Sequence, residues 1–182
     1  MSPSCAVIVF AKAPVAGFAK TRLVPALGAE GAARMAERLL AHALEQACAA
    51  AIGPVELCCW PDASHPAFLA LSQRHGVALR CQGAGDLGEK MARALDRALQ
   101  THRSAILIGT DAPGVDARYL QDAARALDSG MNFLLGTPEV PAYRDPRPDS
   151  AAAWPELVEA GRTGATAVAQ RAAPDQTPVL NA

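Results

Sequence analysis

Residues 5–11, CAVIVFA, are apolar at every position and rich in β-branched side chains. A strand covered on one face alternates apolar with polar, so an uninterrupted run predicts a strand covered on both faces. The run stops at Lys12 and gives way to AKAPVAGFAKTRLVPALG, a loop punctuated by proline and glycine. From about Ala29 to Ala51 the period lengthens. Met35, Leu39, Leu40, Ala43, Leu44 and Ala47 recur at spacings of three and four, as on the apolar face of a helix, and Gly53-Pro54 ends it. VELCCW (55–60) reads as a second strand, PAFLALSQRH (66–75) as a short helix stopped by Gly76, and VALRCQ (77–82) as a third strand. Residues 88–102 form an amphipathic helix with Met91, Leu95, Ala98 and Leu99 on one face, before the buried strand AILIG (105–109). Asp116 is placed to cap a helix running to about Asp128, and NFLLG (132–136) is a fifth strand.

This alternation predicts an α/β fold with three α-β-α layers and a mostly parallel, Rossmann-like sheet. Ligands of such sheets sit at the carboxyl ends of the strands. Loops 12–22, 83–88 and 110–114 therefore share one rim. After Gly136 the texture changes to the Pro-rich, polar TPEVPAYRDPRPDS, with no run like a buried strand and one weak helix over 155–173. The expected division is a nucleotide-binding core, 1–136, and an atypical tail, 137–182.

Composition narrows the function classes. The chain is 51% hydrophobic but only 4% aromatic, which suits small residues packing helices closely on a sheet. A formal net charge of -1 gives no electrostatic case for nucleic acid as partner. Cys5, Cys48, Cys58, Cys59 and Cys81 are odd in number and lack a Cys-x-x-Cys pair, which favours reduced, buried thiols over disulfides or zinc. No basic segment precedes the first apolar run, and no window has the length of a membrane span. A soluble, cytoplasmic protein is expected.

The first rim loop concentrates positive charge: Lys12, Lys20 and Arg22, with Gly17 allowing close backbone approach. Three cations directly after a buried strand suit a phosphate group, although solvated surface cations are the plain alternative. The spacing is not that of a Walker A loop, which needs adjacent Gly-Lys. GAGDLG (83–88) matches Gly-x-Gly-x-x-Gly and opens the possibility of an NAD(P)-binding oxidoreductase. Asp86 weighs against pyrophosphate there and is equally suited to capping the next helix. Asp111, immediately after a buried strand, suits Mg²⁺ or Mn²⁺ shared with a diphosphate, or else caps the following turn. His42, His65, His75 and His102 show no ligand spacing, and Trp60 is expected in the core. No catalytic residue is evident.

FAKAPVAGFAKTRLVPALG, GDLGEKM and ILIGTDAPG, in that order, resemble a family of small bacterial glycosyltransferase-like proteins. That family belongs to the nucleotide-diphospho-sugar transferase superfamily, with a GT-A-type fold. The resemblance implies a nucleotide or nucleotide-sugar substrate. Lys12, Gly17, Lys20 and Arg22 would hold its phosphates, and Gly85, Asp86 and Gly88 would border the donor pocket. The divalent cation would fall on Asp111. Metal-dependent glycosyl transfer is the implied reaction, with nucleotidyl transfer on the same fold as the alternative. The tail departs from the family pattern, since LLGTPEVPAYRDPRPDS replaces an acidic Gly-Gly-Tyr segment. A non-catalytic nucleotide-binding module therefore stays open, as does a homodimer that covers an unpaired sheet edge.

Overall fold

The computed structural model describes residues 5–129 together with three strands at 133–137, 140–144 and 167–171. Strand β1 (Cys5–Lys12) is buried at its first seven positions and exposed only at Lys12, as its unbroken apolar run requires. It lies between β2 (Val55–Trp60) and β4 (Ser104–Gly109), parallel to both, with Lys12 opposite Trp60 and Phe10 opposite Gly109. The short strand β3 (Ala78–Cys81) pairs parallel with β2. These four strands form the all-parallel half of the sheet.

The odd positions of β1 face α1 (Val24–Ala50), α2 (Pro66–His75) and α4 (Ala117–Asp128). Leu40, Leu44, Phe68, Leu120 and Leu127 fill that layer. The even positions, Ala6, Ile8 and Phe10, face α3 (Leu87–Leu99) through Met91, Leu95 and Leu99. Gly53 lets the α1–β2 connection pass close to β1, for a Cβ there would lie 1.9 Å from the Cys5 carbonyl oxygen.

Helix starts are set locally. Asp86 accepts from the Glu89 amide at 2.9 Å while the Glu89 carboxylate accepts from the Asp86 amide at 2.9 Å, a complete capping box for α3. Asp116 caps α4 by accepting from the Tyr119 amide. α1 starts earlier than its apolar period suggests, with Pro25 in its first turn and a break at Gly28, where φ is +70°.

The sheet continues past β4 with strands that the pattern of the tail does not predict. Strand β7 (Ala167–Arg171) runs antiparallel along β4, from Ser104 opposite Arg171 to Ile108 opposite Ala167. Strand β5 (Phe133–Thr137) pairs antiparallel with β7, and β6 (Val140–Arg144) with β5. The full order is β3-β2-β1-β4-β7-β5-β6. The tail thus supplies two strands where none was expected, and residues 167–171 are extended where a weak helix was expected. The free backbone donors and acceptors along β4 are the physical cause, since they must be paired or wetted. The rest of the expected helix and the part of the Pro-rich segment from 145 onward lie outside the described residues. Among the described residues no helix is long and apolar enough to cross a membrane.

The cysteines split by burial. Desolvation pushes the Cys5 thiol up to about 11, and those of Cys58 and Cys59 up to about 12. Cys81, on edge strand β3, is exposed, contrary to the burial expected of a cysteine in a strand, and Cys48 is half-buried. Because the thiolate is the reactive form, a thiol reagent at pH 8 is expected to modify Cys81 rapidly. Cys5, Cys58 and Cys59 should react only after denaturation, which peptide mapping would check.

Candidate nucleotide site at the carboxyl edge

The parallel strands end together, so the loops after β1 and β4 face one another across the carboxyl edge. Between them and α1 lies a cleft of about 770 Å³ whose lining includes Lys12, Phe18, Lys20, Arg22, Met35 and Asp111. A volume of this size accommodates an ordinary small-molecule ligand. Lys20 and Asp111 form an ion pair across the cleft, although they stand 91 residues apart in sequence. The Asp111 side chain is 71% exposed and that of Lys20 only 15%. Such a half-solvated pair contributes about 0–1 kcal/mol to stability, so it competes weakly with any ligand for either partner.

The loop shape is specific. Amides of Phe18 and Ala19 both donate to the Val15 carbonyl, which folds residues 15–19 into a tight turn around Gly17, at φ +76°. Lys20 follows at φ 51°, left-handed for a residue with a Cβ, and its carbonyl accepts from the Leu23 amide. That conformation costs about 1–2 kcal/mol and aims the ammonium across the edge at Asp111. Lys12 instead rests its ammonium 3.9 Å above the Phe18 ring. On the opposite side, α1 holds the β4–α4 loop in place. The His42 ring lies 3.1 Å from the Pro113 carbonyl oxygen, and the Gln46 side-chain carbonyl accepts from the Ala117 amide.

Of the residues singled out from sequence, the cleft brings together Lys12, Lys20, Arg22 and Asp111. Gly17 shapes the loop from outside the lining. Gly85, Asp86 and Gly88 do not line the cleft, and Gly85 borders a separate hollow against the outer face of α3 with Glu89, Arg93 and Arg97. Around α3 the first-turn amides meet the Asp86 and Glu89 carboxylates, and Arg93 donates to the Gln82 and Ala84 carbonyls. A pyrophosphate at this helix start would face two carboxylates, so the dinucleotide reading of GAGDLG loses its anchor. Among the described residues no group of three or more His, Cys, Asp or Glu could hold a metal ion. Asp111, with the Thr110 hydroxyl beside it, is the oxygen donor set at this edge.

Three participants escaped the sequence reading. Met35 and Leu39 fit the apolar period of α1 and were expected in the core, yet both line the cleft. His42 was expected as a surface or helix-end residue, but it braces the Asp111 loop. Phe18 also lines a smaller hollow of about 440 Å³ with Val15, Asp62 and His65, between the loops after β1 and β2. The Ser64 hydroxyl and amide hold the Asp62 carboxyl below its ordinary value.

A family model described as an uncharacterized protein conserved in bacteria, DUF2064, matches residues 25–138. The chain belongs to the DUF2064 family. No curated protein matches it in sequence. Among solved structures, this DUF2064 chain is similar to a protein of Desulfovibrio desulfuricans G20 assigned as a nucleotide-diphospho-sugar transferase, at 23% identity and a TM-score of 0.70. The match covers 94% of this chain and 64% of that one, so the DUF2064 chain spans under two thirds of the relative's length. A cytidylyltransferase of Leptospira borgpetersenii serovar Hardjo-bovis (strain JB197) follows at 14% identity and a TM-score of 0.51, covering 73% of this chain and 53% of that one. The DUF2064 chain therefore has the nucleotide-sugar transferase-like α/β fold that the order of its three loops implied.

The strained Lys20 backbone yields a test. Lys20→Gly removes the ammonium but relieves the left-handed strain of about 1–2 kcal/mol. Its stability in thermal denaturation is expected to equal or exceed the original by up to about 2 kcal/mol, because the lost surface pair contributes only about 0–1 kcal/mol against that relief. Phosphate-dependent ligand binding should nevertheless fall.

Proposed function

We propose that the protein is a transferase acting on a nucleotide-activated sugar, with the diphosphate held at the carboxyl-edge cleft. The observation that carries this reading is the convergence of Lys12, Lys20 and Arg22 on one cleft opposite a single carboxylate, Asp111. Glycosyl transfer breaks the bond between the anomeric carbon and the diphosphate oxygen and forms one from that carbon to an acceptor oxygen. The nucleoside diphosphate leaves with added negative charge, and cations fixed beforehand around that oxygen lower the barrier. The names of two proteins of similar fold, a nucleotide-diphospho-sugar transferase and a cytidylyltransferase, support a nucleotide as the class of ligand.

The Lys20–Asp111 pair supplies a reason for metal dependence. An arriving phosphate competes for Lys20 and frees Asp111, which with the Thr110 hydroxyl would then hold Mg²⁺ or Mn²⁺. One carboxylate plus phosphate oxygens is a common ligand set for such ions, and the ion would neutralise charge on the leaving diphosphate. Phe18 and the 440 Å³ hollow, largely apolar with Asp62 at its edge, offer a flat surface and a carboxylate acceptor suited to a base.

Calorimetric titration of UDP, CDP and GDP sugars, with and without Mn²⁺, tests the reading. Nucleotide-sugar binding strengthened by Mn²⁺ is expected, and Asp111→Ala should weaken the Mn²⁺-supported affinity by about tenfold or more. Free nucleoside diphosphate released with an acceptor present would identify glycosyl transfer, whereas pyrophosphate released from a nucleoside triphosphate would identify nucleotidyl transfer. Tight binding of NAD(P)H with none of the nucleotide sugars would overturn both.

A further inference from the structure

Lys90 sits in the first turn of α3 with only 9% of its surface exposed. Its ammonium lies 3.4 Å above the ring of Trp60, the last residue of β2. Among the described residues it has neither a carboxylate within salt-bridge distance nor a hydrogen-bond acceptor. Asp86 and Glu89, its nearest acidic neighbours in sequence, are committed to the capping box. The side chain is largely covered, and its cation stands at the positive end of a helix dipole. Its direct partner is an aromatic face.

Its place in the fold gives that tension a direction. Trp60 pairs in register with Lys12, one strand over. Even-numbered Ile8, Phe10 and Cys58 place the corresponding positions of β1 and β2 on the α3 side of the sheet. Lys12 repeats the arrangement, with its own ammonium above Phe18 and no carboxylate within salt-bridge distance among the described residues. Two ammonium groups thus rest on aromatic faces at adjacent strand ends, whereas Lys20 has Asp111. A ring face holds a cation less strongly than a charge-assisted hydrogen bond to a phosphate oxygen does, so an arriving oxyanion can draw the ammonium off the ring.

We propose that Lys90, which with Trp60 lies at the end of β2 outside the lining of the 770 Å³ cleft, binds a phosphate-type oxyanion of a ligand that extends from that cleft, passing its ammonium to it from Trp60. The inference rests on the nucleotide reading for the identity of that ligand. It assigns Trp60 the role of a resident counter-group that the ligand displaces, in place of the core packing expected from sequence.

The chain has two tryptophans, so Trp154→Phe leaves Trp60 as the sole indole emitter. In that background, inorganic pyrophosphate and UDP, CDP or GDP are titrated while fluorescence and calorimetric heat are both recorded. The expected result is a change in Trp60 emission on binding. Lys90→Met should abolish that change and weaken binding by roughly tenfold. Its melting temperature should be unchanged or higher, because an apolar side chain of similar volume suits the buried position. Lys90→Arg should recover part of the affinity, which a purely structural lysine would not require. Wild-type affinity in a folded Lys90→Met protein, or heat of binding with silent Trp60 emission, overturns the proposal and leaves the nucleotide reading standing. A Lys90-dependent response to pyrophosphate with no added affinity for any nucleotide upholds Lys90 and removes the nucleotide reading. No response to any probe overturns the proposal as well.

Discussion

Burial of β1 on both faces is the constraint from which the rest of the architecture follows. A strand with no polar position cannot lie at an edge or against water, so it takes parallel partners on either side and helices above and below. β2 and β4 supply the partners, with α1, α2 and α4 on one face and α3 on the other. Parallel pairing then brings every strand of this half to its carboxyl end on the same side. Lys12 is the first position where the strand leaves its cover, and it emerges beside Trp60 and one strand from the Asp111 loop. The buried amide of Gln82 ties that edge together, donating to carbonyls of Ala11 and Cys58 on two neighbouring strands.

Charge at this edge is arranged with weak internal partners. Lys20 meets a largely exposed carboxylate, and Lys12 and Lys90 meet ring faces. Each contact is enough to order a long side chain, and none is strong enough to outcompete a phosphate. The left-handed backbone at Lys20 fits the same logic, since local strain is tolerated where surrounding structure fixes it and a ligand uses it. By contrast, the carboxylates around α3's start are locked by reciprocal amide contacts, and the glycine pattern that matches a dinucleotide motif lies outside the cleft.

What was legible in the sequence was what local chemistry decides. The apolar run of β1, the caps at Asp86 and Asp116, and the stop at Gly76 depend on near neighbours, and each lies where its residues imply. Non-local demands were not legible. AVAQR at 167–171 becomes a strand because β4 needs a partner, and nothing within five residues announces that. Met35 and Leu39 satisfy the period of α1 as well as Leu40 and Leu44 do, and only the third dimension separates cleft wall from core. Lys90 carried no signal either, since a lysine in an amphipathic helix reads as solvated until Trp60 is seen beneath it.

A crystal structure of the protein with a nucleoside diphosphate and Mn²⁺ tests directly whether this cleft holds the diphosphate. The expected result places the phosphates between Lys20 and Arg22, with the Lys20–Asp111 contact broken and the metal's anomalous signal beside Asp111. A diphosphate bound away from Lys20, Arg22 and Asp111, or one bound anywhere with the Lys20–Asp111 pair intact, would contradict it.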